Sequence, residues 1–171
     1  LLLLASIMIP LNVFAYSDYI LAGGQNIGIE LNSNGVLIVG TYKIGNLDPA
    51  KEANLQTGDK IVTTNNVEIS SIEEMLNTIN ESKNPASIDI NYLRGSKMFS
   101  TNLKLVMDDN NIYKTGLYVK DSINGVGTLT FIDPKTKIYG ALGHEIIESN
   151  TMNSIEVRTG SIFESEVTSI D

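Results

Sequence analysis

The residue best suited to chemistry in this sequence is its single histidine, His144. It follows the short run YGALG at 139–143, which predicts a β-strand with small residues that leave room beside the imidazole. Histidine exchanges protons readily near neutral pH, so this position suits the general base of a peptidase built from β-strands. A core or surface histidine without chemistry is the alternative interpretation.

Two predicted strands must hold His144 in place. The first is the apolar run GVGTLTFI at 125–132, and the second is the run at 139–143. Asp133-Pro134-Lys135, which follows the first strand, has the residue types of a turn. The two strands are therefore expected to form a hairpin that ends at the histidine.

The other candidates for a catalytic group have simpler explanations. Asp121 and Asp133 lie near these strands, but turn and strand-end positions favour structural roles for them. Glu145 points to the opposite side of any strand that carries His144, so it is not expected to be its partner. The remaining serines after the histidine lack the glycine-flanked setting of a nucleophile: Ser149, Ser154, Ser161, Ser165 and Ser169.

Composition excludes several classes of function. The 171 residues include 20 Asp and Glu against 12 Lys and Arg, a net charge of −8, without the basic stripe that nucleic-acid binding needs. There is no cysteine, which excludes disulfides, thiol catalysis and cysteine-ligated zinc. One histidine cannot form a multi-histidine zinc site. We therefore predict no metal and no cofactor.

The first 15 residues are almost wholly apolar. This is shorter than the about 20 residues of a bilayer span, but it suits the apolar and cleavage regions of an export signal, with VFA at 13–15 as a cleavage site. An uncleaved membrane anchor is equally compatible, and a buried core helix is the remaining alternative. The chain starts without methionine and stops within a strand-like pattern, so we expect a fragment of a longer protein.

The middle of the chain alternates between strand and helix signals. A glycine-rich loop leads into a strand, the NSNG run at 32–35 predicts a hairpin turn, and VLIVG at 36–40 predicts a buried strand. Asp48 with Pro49 predicts a helix start, and Ser71 with Glu74 predicts a capping box. The helix that follows has one apolar stripe, made of Ile72, Met75, Leu76 and Ile79.

This order of elements resembles a PDZ domain of the bacterial arrangement over residues 20 to 106, most specifically in DPAKEANLQTGDKI at 48–61. The resemblance implies peptide binding by addition of a strand to an open sheet edge. The edge would be Ile27-Gly28-Ile29, facing the helix, with the preceding turn binding a terminal carboxylate. The implied peptide-binding residues are Gln25, Asn26, Ile27, Gly28, Ile29, Ile72, Met75, Leu76 and Ile79. At least half of the helix stripe is expected to anchor the helix in the core instead.

A polar run, DDNN at 108–111, predicts a boundary, and only strand patterns follow it. The expected organisation is a signal or anchor segment at 1–17, a PDZ-like domain at 18–107 and an incomplete peptidase domain at 108–171. The fold class is an α+β PDZ domain followed by the N-terminal part of an all-β chymotrypsin-like barrel.

With GLYVKDS at 116–122, GVGTLTF at 125–131 and YGALGH at 139–144, the chain closely resembles the stage IV sporulation protein B (SpoIVB) family of serine peptidases. The resemblance implies that His144 is the general base of a Ser-His-Asp triad whose acid and serine lie beyond this chain. It also implies export into the space between mother-cell and forespore membranes. The implied substrates are the protein itself and a membrane-bound regulator, whose cleavage activates processing of a sigma-factor precursor. The PDZ-like domain would hold the substrate or the protein's own N-terminal segment.

Two other functions remain open. The chain could be a PDZ adaptor without catalysis, whose C-terminal strands are structural. It could also be a quality-control protease, although in those enzymes the protease domain precedes the PDZ domain, the reverse of the order here.

Overall fold

The structure is a computed structural model that describes residues 17–82, 86–143, 147–148, 153–154 and 156–166. The described residues form mainly β-strands with two short helices. The elements are β1 Leu21–Ala22, β2 Asn26–Thr41, α1 Pro49–Glu52, β3 Lys60–Thr64, β4 Val67–Glu68, α2 Ile72–Asn80, β5 Ser87–Arg94, β6 Lys97–Lys104, β7 Val106–Met107, β8 Tyr113–Lys114, β9 Leu117–Ile132, β10 Tyr139–Gly143, β11 Ile147–Glu148, β12 Asn153–Ser154 and β13 Val157–Glu164.

The hydrophobic core lies between the middle strands and the two helices. In strand β5, Ile88, Ile90 and Tyr92 are buried while Asp89 between them is exposed, as in a strand with one covered face. The other buried members come from β2, α1, β3, α2, β6, β9 and the connections: Val36, Ile38, Ala50, Ala53, Leu55, Ile61, Ile69, Met75, Leu103, Leu105 and Leu117.

Asp59 and Arg94 form an ion pair beside this core. Asp59 is fully buried, and its carboxylate accepts hydrogen bonds from Arg94 Nε at 2.7 Å and Nη2 at 2.8 Å. The backbone N–H of Gln56 donates a third bond at 2.9 Å. The guanidinium also lies 5.3 Å from the ring centre of Tyr92. Because a buried charge is tolerated only when it is paired and hydrogen-bonded, Asp59 and Arg94 act as one unit.

The helix starts follow the predicted capping residues. Asp48 accepts a hydrogen bond from the Lys51 N–H at 3.2 Å, with Pro49 in the first turn of α1. Ser71 accepts one from the Glu74 N–H at 3.1 Å. The capping box is only half formed, since the Glu74 carboxylate bonds the N–H and hydroxyl of Ser70 instead. These hydrogen bonds lower the pKa of Glu74.

The predicted hairpin turn at 32–35 is wrong, because β2 continues through it as a single 16-residue strand. Gly35 takes a positive φ of +116°, and Ser33 bonds its carbonyl, so the chain bulges without reversing. From Asn32 to Leu37 strand β2 advances five residues while its partner moves only from Ser122 to Lys120. The bulge therefore accommodates Gly35, a residue that the local sequence would place in a hairpin turn.

Strand β2 is the axis of the main sheet, whose order is β1-β9-β2-β3-β5-β6. Strand β9 runs antiparallel along one edge of β2, from Asn26 to Thr41. The other edge is shared by β3, which pairs at Val36 and Leu37, and by β13, which pairs from Ile27 to Ser33. Strand β10 adds to the far edge of β9, and β4 adds to β3. One sheet therefore spans both sides of the predicted boundary at 108.

The polar run at the predicted boundary is an ordered turn between β7 and β8. The Asp108 carboxylate accepts hydrogen bonds from the N–H groups of Asn110 and Ile112, both at 2.9 Å. Its backbone N–H donates to the Ile112 carbonyl, also at 2.9 Å. The hydrogen bond from the Ile112 N–H to this carboxylate is the main cause of the lowered pKa of Asp108. In the described part of the chain, neither helix has the length and apolar character needed to span a bilayer.

Candidate functional site

The hairpin predicted to carry His144 is present, although His144 itself lies outside the described residues. Strands β9 and β10 pair antiparallel, with Ile132 opposite Tyr139 and Gly127 opposite Gly143. The Asp133 N–H bonds the Ile138 carbonyl at 2.7 Å and closes the connection. The last described residue before the histidine is therefore fixed by its pairing with the middle of β9.

A cavity of about 550 Å³ opens beside this end of β10. Leu142 and Gly143 contribute to its wall, together with Asn26 from β2. The remaining lining residues come from β9 and from the segment after β13: Val126, Gly127, Thr128, Ser165 and Glu166. Gly143, the last described residue of β10, thus lies at the rim of a cavity large enough for a peptide side chain.

Asp121 and Asp133, the two alternative acids, both make structural contacts. Asp121 accepts a hydrogen bond from the backbone N–H of Ile72 at 2.8 Å and so holds the first turn of α2. Asp133 is fully buried in the connection between β9 and β10, where it accepts hydrogen bonds from the N–H groups of Lys135 at 2.9 Å and Thr136 at 3.2 Å. These bonds fold the connection onto its own carboxylate, as expected for an aspartate in a turn.

Asp133 also anchors the chain that leads into β1. The hydroxyl of Ser17 donates to its Oδ1 at 2.5 Å, and the Ser17 N–H donates to its Oδ2 at 3.0 Å. These bonds favour the charged carboxylate and hold the pKa of Asp133 far below its usual range, with the serine hydroxyl as the largest cause. Burial opposes this shift and is outweighed.

The predicted open edge at Ile27-Gly28-Ile29 is not open, so that prediction is wrong for this structure. On one side these three residues pair with Gly127, Val126 and Gly125 of β9. On the other side they pair with Glu164, Phe163 and Ile162 of β13. The strand has a neighbour along each edge, and no backbone edge is left for an added peptide.

The structure also does not bring the helix stripe beside Ile27-Gly28-Ile29. Helix α2 packs mainly against β3 and β9. The backbone N–H of its first residue, Ile72, donates a hydrogen bond to Asp121 of β9. The β9 residues on either side of Asp121 pair with Asn32 and Leu37 of β2. The helix therefore begins beside the β2 bulge, several residues from the predicted edge.

Within the helix stripe, most side chains serve the core. Met75 is buried, and Ile72 and Ile79 are partly buried against the same cluster. Only Leu76 remains 52% exposed. This agrees with the expectation that at least half of the stripe anchors the helix. The assignment of these residues to peptide binding stays a prediction.

A second cavity, of about 560 Å³, was not predicted from the sequence. Gln25, Asn26 and Ile27 of the predicted peptide-binding turn line it, but the rest of the wall comes mainly from strands and not from helix α2. The other lining residues are Leu21, Ala22, Gly23, Leu129, Ile132, Tyr139, Ile162, Phe163 and Glu164. The available signal was the polar and apolar alternation TLTF at 128–131, because it predicts a strand with one covered face, and Leu129 and Phe131 are indeed half-buried.

No group of three or more His, Cys, Asp or Glu side chains within the described ranges could hold a metal ion.

The fold and a family match define the class of protein, a β-rich chain with a PDZ domain. Residues 26–105 match the family model for the PDZ domain. A similar solved structure is the PDZ domain of the SdrC-like protein from Listeria monocytogenes, at 26% sequence identity. The alignment covers 52% of this chain and 90% of that one, with a TM-score of 0.43. A search of curated proteins gave no match.

A second family model matches the sequence that follows the PDZ domain. Residues 111–171 match the model for SpoIVB peptidase S55. The two matches, in this order along the chain, confirm the resemblance predicted from the motifs at 116–144. His144 lies within the second matched region.

Proposed function

We propose that the parent protein is an exported serine endopeptidase in which His144 is the general base. The observation that carries this proposal is the match of residues 111–171, with His144 among them, to the SpoIVB peptidase family. In a triad the imidazole takes the proton of the attacking serine and returns it to the leaving amine, while a carboxylate fixes its tautomer. The serine and the acid would follow the histidine in the chain, as in the family.

The geometry around β10 supports this role. The β9–β10 hairpin is anchored by Asp133 at one end and by the Gly127–Gly143 pair at the other. A general base needs a rigid support, because catalysis depends on hydrogen-bond reach to the reacting group. The antiparallel strands β10, β9, β2 and β13 are adjacent in that order. We propose that they form the first part of a chymotrypsin-like barrel.

The substrates we propose are the protein itself and a membrane-bound regulator of sigma-factor processing, in the space between the mother-cell and forespore membranes. The apolar segment at 1–15 would direct export or hold the protein at the membrane. The PDZ domain would hold the substrate by pairing with its extended backbone. The support for these assignments is the family resemblance and the leader-like composition.

The proposal is tested by following self-cleavage of the complete protein. We expect the His144→Ala variant to lose cleavage by a factor of about 10⁴ or more, because loss of a triad member removes nearly all of the chemistry. The matched control is Ser161→Ala, an exposed serine on β13, which should cleave as the wild type does. Cleavage by His144→Ala at the wild-type rate would exclude the proposed base.

A non-catalytic PDZ adaptor is the second candidate, and one observation favours it. The PDZ core is formed by residues from Val36 to Leu105 together with Leu117 at the start of β9, so it includes neither β10 nor the part of β9 that pairs with β10. An adaptor would bind peptide in the complete protein with no cleavage, and His144→Ala would leave that affinity unchanged. Self-cleavage that depends on His144 would exclude the adaptor.

A further inference from the structure

Strand β13 occupies one of the two edges of the strand to which the sequence assigns a bound peptide, and β9 occupies the other. Thr159 to Glu164 run antiparallel to Asn32 to Ile27, one residue against one, and Val157 adds a seventh pair with Ser33. An extended peptide added to this edge would make the same kind of ladder. The segment that fills it belongs to the region that matches the peptidase family.

Among the described residues, few contacts besides the ladder hold β13 in place. All eight of its residues are exposed, and even Ile162 and Phe163 keep 38% and 48% of their surface accessible. Where the strand begins, Glu156 pairs with Lys60 at 2.6 Å and Arg158 donates to the Ser70 hydroxyl. Exposed polar contacts of this kind contribute little to stability.

The strand on the opposite edge is anchored far more firmly. Leu117 of β9 is buried in the PDZ core, Val119 packs against the same cluster, and Asp121 is bonded to the first residue of α2. Local opening is favoured where few apolar contacts would be lost. Of the two strands that flank 27–32, β13 is therefore the one that can leave.

The side chain of Phe163 in β13 packs closely against β2. The ring of Phe163 lies over Gly28, so closely that a Cβ built on Gly28 would collide with three ring carbons. Gly28 is directly opposite Phe163 in the register. A glycine at this point of β2 thus leaves space for a large apolar side chain on the neighbouring strand.

We propose that β13 is an internal, displaceable occupant of the peptide-binding edge, and that an extended peptide pairs with 27–32 only after β13 leaves. This rests on the proposed function, in which the PDZ domain binds a peptide substrate. An edge that is free in about 1–10% of molecules lowers the apparent affinity about 10- to 100-fold. Because the coupling is reciprocal, peptide binding would release β13 within the peptidase region.

A reversible cross-link between β2 and β13 tests this directly. Glu30 and Ser161 are paired across the two strands, and the wild-type chain has no cysteine, so Glu30→Cys with Ser161→Cys gives one defined disulfide. The probe is a fluorescein-labelled peptide with the sequence of residues 157–164. We expect the full chain to bind it at least tenfold more weakly in the oxidised form than after reduction.

The controls separate this inference from the proposed function. Each single cysteine variant should bind the probe equally with and without reductant, and Phe163→Ala should bind it more tightly than the wild type. Equal binding by the oxidised and reduced double variant would overturn the displacement by β13 and leave peptide binding intact. Absence of binding in every form, Phe163→Ala included, would remove peptide binding at this edge and the inference with it.

Amide hydrogen exchange gives a second readout that needs no peptide and no substitution. We expect the ladder amides of β13 to exchange at least tenfold faster than those of β9 at 117–120. Equal protection of the two segments would overturn the proposal, because β13 would then open no more readily than a strand anchored in the core.

Discussion

Asp133 shows how one buried carboxylate can organise two distant parts of the chain. It accepts hydrogen bonds from its own connection, at Lys135 and Thr136, and from Ser17, which is 116 residues away in sequence. The chain at Ser17 is thereby held beside the connection between β9 and β10. A turn aspartate is readable from the sequence, but its bond to Ser17 is not.

The lowered pKa of Asp133 predicts a definite pH dependence. A carboxylate whose folded pKa is depressed stabilises the folded state above its ordinary pKa of 3.8, and this contribution is lost as the pH falls through the folded value. We expect Asp133→Asn to lower the melting temperature at pH 7. The difference from the wild type should shrink steadily as the pH falls from about 5 to about 2.

Thermal unfolding across this pH range is the measurement. Asp109→Asn is the matched control, because Asp109 is an exposed aspartate in the turn after β7, and it should behave as the wild type does. A deficit of Asp133→Asn that stays constant across the range would show that the charge on Asp133 does not stabilise the fold.

At the scale of elements, α2 shows that one apolar stripe can serve two purposes. The spacing of four apolar residues correctly predicts a helix, but it does not say which of them face the core. Met75 is 3% exposed while Leu76, its immediate neighbour, is 52% exposed. The difference comes from the position of α2 against β3 and β9, which the helix sequence alone does not specify.

This contrast predicts unequal effects of two similar truncations. Met75→Ala should lower the free energy of unfolding by about 2–5 kcal/mol, because it removes a buried side chain and leaves a cavity. Leu76→Ala should change it by less than about 0.5 kcal/mol, as expected of an exposed position. Urea unfolding of both variants is the measurement. Equal losses would mean that Leu76 is also part of the packed interior.

Strand β2 shows the opposite relation between local preference and structure. The Asn34-Gly35 pair favours a tight hairpin, but β2 continues through it as a bulge. The reason is tertiary: β9 supplies a ladder on both sides of the bulge, at 26–32 and at 37–41. Hydrogen bonds to residues of β9, which lie 76 to 102 positions later in the chain, outweigh the turn that the local residues favour.

At the scale of the whole molecule, the two family regions share a core and a sheet. Leu117 lies beyond the predicted boundary at 108, yet it is buried with the PDZ residues. Strand β9 then continues along β2 as far as Asn26. A PDZ domain cut at the predicted boundary would lack part of its own interior.

This predicts that residues 17–121 are more stable than residues 17–107. Burial of a leucine side chain contributes about 1.5–3 kcal/mol, and the longer chain adds Leu117 together with the Asp121 bond to α2. Urea unfolding of the two chains gives the difference in free energy. Equal stability would instead support an independent PDZ domain that ends at 107, as the polar run predicts.

Much of the local structure was predictable because short-range chemistry specifies it. The alternation in β5, the caps at Asp48 and Ser71, the helix stripe and the β9–β10 hairpin all depend on residues a few positions apart. The motifs around His144 also sufficed for the family resemblance. The role of His144 stays a prediction, as do the domain limits.

The sequence by itself determined most of the local elements and the family resemblance, since side-chain periodicity and capping act locally. Only the tertiary structure decided which strands flank 27–29, because every strand has two edges and its own residues do not choose the partners. That choice placed β9 on one edge and β13 on the other, and so closed the site that the sequence had left open.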